Sequence, residues 1–96
     1  MNLNMELLKE RFTAGLERRV TEMLDLASRR NFASLQLPFH SLVGIGGTYG
    51  YPEVTRIARD GEQATNAGDV ARAMRSLSEL DEIRRDLTEQ RDLRVA

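Results

Sequence analysis

One histidine stands in this chain of 96 residues, His40, and four of the seven glycines follow it within ten positions, in HSLVGIGGTYG over residues 40–50. Neutral imidazole is a nucleophile near pH 7, because an unperturbed pKa of about 6.5 keeps the unprotonated form abundant. Cysteine is absent, so neither a disulfide framework nor a Cys-based metal site is possible. No Gly-Lys-Ser/Thr phosphate loop is present to hold a nucleotide. The sequence therefore does not read as a self-contained enzyme, and its chemistry rests on His40. The glycines beside that ring are poor helix formers, and their crowding there needs a reason.

The elements that must position His40 read as helices. Met5, Leu8, Phe12, Leu16, Val20, Met23, Leu24 and Ala27 recur at spacings of three and four, which predicts a first helix over about 4–28. Gly15 weakens it by roughly 1 kcal/mol relative to Ala and is a candidate break. SRRN reads as a turn with Asn31 as N-cap of the next helix. That second helix spans 32–49. Pro38 within it implies either a kink or a new start near Leu37, and Gly50 ends it. Tyr51-Pro52-Glu53 is a helix start, with Pro at the first helical position. Val54, Ile57, Ala58 and Gly61 form the inner face of a helix to about Thr65. Asn66-Ala67-Gly68-Asp69 is a turn that leaves Asp69 as N-cap. The last helix carries Val70, Ala73, Leu77, Leu80 and Leu87 on one seam, with Met74 and Ile83 beside it. Its charged tail, residues 84–96, is expected to fray or stay solvated. Long amphipathic helices with short connections imply an all-α fold, an antiparallel up-down four-helix bundle in one domain over 1–96.

A helical wheel locates the histidine. At about 100° per residue, with His40 at zero, Leu42, Ile45, Gly46 and Tyr49 fall between roughly 140° and 240°, and Phe39 near 260°. If that stripe faces the core, His40 faces solvent. Gly44 and Gly47 fall within about 40° of His40, and Val43 borders the same face near 300°. Glycines there remove side chains from around the imidazole, leaving a flat path by which another macromolecule can bring a reactive group to the ring. Gly46 falls on the inner face, where it allows a neighbouring helix to pack close.

Composition narrows the partners. The chain is 41% hydrophobic and 30% charged with a net charge of −1, which suits a folded soluble protein without a basic field for nucleic acid. No apolar run approaches the roughly 18 residues that a membrane span needs. The opening MNLNMELLKER carries charges where a secretory signal has an apolar stretch. A cytoplasmic monomer is expected. Thirteen of the fourteen basic residues are Arg.

The stretch HSLVGIGGTYGYPEVTRIARDGE resembles the signature of histidine-containing phosphotransfer domains. That signature is a His, a Leu two later, a Lys-Gly pair, small residues, a Gly ten after the His and a helix ending near a Glu. His40, Leu42, Gly44, Gly47, Gly50, Pro52, Glu53 and Glu62 keep the spacing, and the resemblance extends over about 32–85. It implies a four-helix bundle in a two-component phosphorelay, with His40 as phosphoryl acceptor. The phosphoryl group would come from the aspartate of a response-regulator receiver domain, or from a hybrid histidine kinase, and pass to another receiver. The receiver would supply the acidic pocket and Mg²⁺, so no metal site or cofactor is expected in this chain.

Two positions depart from the pattern. The family's Lys, three residues after the His, is replaced by Val43, which removes a cation from the phosphoryl site. Arg59 or Arg56 on the next helix are candidate substitutes. Pro38-Phe39 stands where the family continues a regular helix with a small residue. Phe39 and Tyr51 are each open to two readings, an exposed anchor for a partner or core packing. With Phe39, Val43, Gly44, Gly47 and Arg59 as the docking surface, the alternatives are an active carrier and a module of the same fold that docks receivers or kinases without carrying phosphate. A structural bundle that oligomerises through its long terminal helices is a third.

Overall fold

The computed structural model describes residues 3–95. Four α-helices account for nearly all of them: α1 Leu3–Ser28, α2 Gln36–Tyr49, α3 Pro52–Asn66 and α4 Val70–Val95, with a 3₁₀ turn at Phe32–Leu35 leading into α2. No strand occurs among the described residues. Phe12, Leu16, Val20 and Met23 of α1 meet Phe39 and Leu42 of α2, Val54, Ile57 and Ala58 of α3, and Leu77 and Leu80 of α4 in one buried cluster. No described helix is long and apolar enough to cross a membrane.

Three of the four helix ends expected from the sequence fall within a residue or two. Of the two alternatives at Pro38 the new start holds: α2 begins at Gln36, after the 3₁₀ turn, and Pro38 does not kink it. It lies at the third position of α2, in the first turn, where no intrahelical hydrogen bond to its nitrogen is needed. Gly15 does not break α1, because Phe12 and Leu16 on either side of it are fully buried and hold the helix to the core. The apolar face of α1 is shorter than the periodicity suggests: Met5, Leu8 and Leu24 are exposed, and so is Val70 at the start of α4. Asp69 caps α4 as expected, its Oδ1 accepting the Arg72 amide at 3.1 Å. Asn31 makes no such side-chain cap.

Three successive helices end in the same way. The amides of Asn31, Tyr51 and Asp69 donate back to the carbonyls of Leu26, Gly46 and Ala64, at 2.9, 2.7 and 2.8 Å. The residue before each has a positive φ: Arg30 at 58°, Gly50 at 78° and Gly68 at 72°. This is the Schellman closure, which satisfies carbonyls a helix end would otherwise strand. Two of the three positions hold the residue for which that backbone is free of strain.

The charged tail does not fray. α4 stays helical to Val95, with Leu87 buried; Ala96 lies outside the described residues. The tail is tied to α1 by Arg91, whose guanidinium donates to both Glu17 oxygens at 2.6 and 3.1 Å, with Thr88 adding a third donor at 3.1 Å. The Arg91 hydrogen bonds, opposed by burial, hold the Glu17 carboxyl below its ordinary 4.5. Arg72 does the same for Asp60, below 3.8. Burial pushes Asp81 up, but hydrogen bonds from Arg84 and Arg85 outweigh it and leave that carboxyl low as well. A carboxyl depressed in the folded state contributes stability above its unfolded value and loses it as pH falls through the folded value. Thermal denaturation should therefore show a melting temperature that declines steeply only below about pH 4.5. Glu17→Gln should lower it by a few degrees at pH 7 and narrow the gap to wild type by pH 3. Parallel curves would show that the pair contributes nothing.

Candidate functional site

His40 occupies the fifth position of α2. The helical wheel is correct about its direction. Phe39, Leu42 and Gly46 are buried, Ile45 and Tyr49 are half-buried, and the His40 side chain is 66% exposed. Gly44 and Gly47, one and two turns further along, are exposed, and a Cβ at either would meet no atom within 4 Å. The glycines thus leave open surface beside the ring.

The ring is held at one corner. His40 Nδ1 lies 2.8 Å from Glu62 Oε2, across from α3. The same oxygen accepts a hydrogen bond from Gln36 Nε2 at 3.0 Å, one turn before the histidine. Glu62 is only 18% exposed, against 66% for His40, so the carboxylate sits beneath the ring. An ionised carboxylate only accepts, so Nδ1 carries the proton in this contact. In a neutral ring with its proton on Nδ1, Nε2 holds the lone pair, and the ring as a whole is exposed. This is the tautomer a nucleophilic Nε2 requires. Among the described residues no group of three or more His, Asp or Glu side chains is gathered as metal ligands.

Local packing explains why Glu62 meets His40. Gly46 lets α3 approach so closely that a Cβ there would lie 2.8 Å from the Thr55 amide nitrogen and 3.0 Å from the Tyr51 carbonyl. Thr55 Oγ1 donates to the Val43 carbonyl at 2.9 Å, which pins the register of α2 against α3. Phe39 completes the interface, and here the anchor reading is corrected. Its ring is fully buried, packed into the space over Gly61, where an added Cβ would collide with the ring. An aromatic at that position belongs to the core because the facing residue is a glycine. Tyr51 likewise turns inward: it stacks on Phe12 with ring centroids 3.9 Å apart and planes 3° from parallel. Burial raises its phenol pKa.

Of the other sequence candidates, Val43 is half-buried and Arg59 is exposed. Sequence reasoning missed Leu37. It is 68% exposed, and at three residues before His40 it lies one turn away on the same face. The wheel contained that signal, since residue 37 falls about 60° from residue 40. Gln36 and the Glu62 contact were missed too. Their signal is the turn: positions equidistant from Tyr51 in a tight helical hairpin face each other, and 40 and 62 are each eleven residues from it.

Comparison with protein-family models, with curated proteins and with solved structures gives no match. What the site can do is read from its own atoms: an exposed imidazole, a carboxylate on its Nδ1, and an open, partly apolar surface along its helix face.

Proposed function

We propose that this chain is a histidine phosphocarrier of the phosphotransfer-domain kind, exchanging a phosphoryl group between His40 and the aspartate of a receiver domain. The observation that carries the reading is the exposed imidazole with its Nδ1 on Glu62 and open glycines beside it. Across α2 and α3 the pairing runs in opposite directions, Gln36 with Glu62 and Val43 with Thr55, which supports the antiparallel up-down bundle expected of such a carrier. Such a carrier acts as a monomer in the cytoplasm, where receiver domains are found.

In the forward step, the Nε2 lone pair attacks the phosphorus of a receiver's aspartyl phosphate. The Nε2–P bond forms as the P–O bond to the aspartate breaks, and the electron pair leaves with the carboxylate. Both ring nitrogens are then substituted and the ring carries a positive charge. The Nδ1–H bond to Glu62 becomes an ion pair, which stabilises the phosphorylated ring. The reverse step returns the phosphoryl group to another receiver. In-line approach needs a cleared path to Nε2, and Gly44 and Gly47 leave one.

Labelling tests the reading. The chain, incubated with a panel of phosphorylated receiver domains, should take up acid-labile, base-stable label from at least one. The second reading, docking without transfer, is favoured by Val43, an uncharged residue where the family has lysine. It gives receiver binding without label. Neither label nor binding would leave a structural bundle. In both docking readings Leu37 is the exposed apolar contact, and Leu37→Glu should weaken receiver binding by about ten-fold or more, with an unchanged melting temperature because the side chain is mostly exposed.

A further inference from the structure

The surface around His40 has no fixed positive charge on its own helix: its neighbours there are Gln36, Leu37, Val43, Gly44 and Gly47. The facing edge of α3 supplies one. That edge is fixed by two contacts, Glu62 on His40 at 2.8 Å and Thr55 on the Val43 carbonyl at 2.9 Å. Residue 59 lies between them, one turn from each along the same side of the helix, and about 60° outward of Glu62. It is Arg59, exposed and engaged in no ion pair among the described residues. The adjacent arginines of α3 and α4 are differently placed. Arg56 lies against Glu53 at 3.7 Å, about 120° around the helix from Glu62. Arg72 is bound to Asp60 at the α4 side of α3. The carboxylate one turn from Arg59 on its own helix edge is Glu62, whose Oε2 is taken by Gln36 and His40. Across the gap, Gly44 and Gly47 raise no side chain that would obstruct a long guanidinium-bearing arm.

We infer that Arg59 is the cation of the phosphoryl site, reaching from α3 to the oxygens of a phosphoryl group on His40 Nε2. The inference rests on the phosphocarrier reading and deepens it: the charge missing at Val43 comes from the neighbouring helix. A guanidinium suits the task, because its planar fork matches two phosphoryl oxygens and it stays charged at every physiological pH. Arg59 touches the transferred group and not the receiver alone, so its loss affects the phosphohistidine itself.

A small-molecule donor separates this inference from the reading beneath it. Phosphoramidate transfers its phosphoryl group to imidazole without a receiver, and ³¹P NMR follows the product on wild type, Arg59→Gln, Arg56→Gln and the double variant Val43→Lys/Arg59→Gln. With Arg59 on the phosphoryl oxygens, the phosphohistidine of Arg59→Gln should titrate at higher pH than that of wild type. The Arg56→Gln product should titrate as wild type, and Val43→Lys should restore the wild-type titration in the double variant. Receiver-driven transfer should fall about ten-fold in Arg59→Gln and recover in the double variant. A phosphohistidine that titrates identically in wild type and Arg59→Gln would overturn the inference and leave the carrier reading standing. A wild-type His40 that takes phosphate from neither phosphoramidate nor any receiver would overturn both.

Discussion

His40→Gln should reduce acid-labile, base-stable labelling to background with every receiver that labels the wild-type chain, a loss of at least about a thousand-fold in transfer rate. The size follows from there being one histidine in the chain: no second imidazole can take over the attack. Glutamine is the informative replacement, because its side-chain amide can still donate to Glu62 while offering no nucleophilic nitrogen. The fold should not respond, since the His40 side chain is 66% exposed and surface changes away from special features usually stay within about 0.5 kcal/mol. Circular dichroism and thermal melting of the variant should match wild type. Label surviving in His40→Gln with the same acid lability would remove His40 from the chemistry.

The second large effect separates glycines that are one to three residues apart. Gly46→Ala drives a methyl group into the Thr55 amide and the Tyr51 carbonyl, at 2.8 and 3.0 Å, and into the Thr55 hydroxyl. Two of those three obstacles are backbone and cannot swing away. Overpacking of this kind costs about 1–3 kcal/mol and occasionally more, against which alanine recovers at most about 1 kcal/mol of helix propensity. A net loss of about 2 kcal/mol should lower the melting temperature by roughly 8–16 °C for a chain of this size. Gly44→Ala and Gly47→Ala meet open space instead. Each should gain up to about 1 kcal/mol, raising the melting temperature by roughly 4–8 °C. The same two substitutions put methyl groups on the approach to His40, so receiver transfer should slow as stability rises. Equal effects of all three substitutions on melting would show that the close approach of α2 and α3 at Gly46 is not what positions the site.

How much of this was legible in the sequence differs from residue to residue. The direction of His40 was, because a helix face follows from spacing alone once the apolar residues are counted. The helix ends at Gly50 and Gly68 were, because a positive φ leaves a glycine in the sequence. The end at Arg30 was marked only by a polar turn, since there a side chain tolerates the same backbone. Phe39 was ambiguous for a physical reason: whether an aromatic is core or anchor depends on the residue it faces, and Gly61 lies 22 positions away. The fate of the charged tail was hidden in the same way. A run of charges reads as solvated until a partner such as Glu17, 74 residues earlier, is known to face Arg91. Leu37 was legible as well, because at about 60° from His40 it lies clear of the apolar stripe and on the open face.

The His40–Glu62 contact spans 22 residues and is closed by a single turn at Gly50-Tyr51, whereas α1 and α4 join partners as far apart as 81 positions. Contacts of short sequence separation form early, because little loop entropy is lost in closing them. The α2–α3 hairpin that carries His40 should therefore assemble first and reopen last. α1 and α4, at 26 residues each, are about 39 Å long against about 21 Å for α2, and their far turns carry the exposed Met5, Leu8 and Leu93. Amide protons in those turns should exchange with solvent fastest, and the hairpin that carries His40 should retain its protons after the ends have lost theirs.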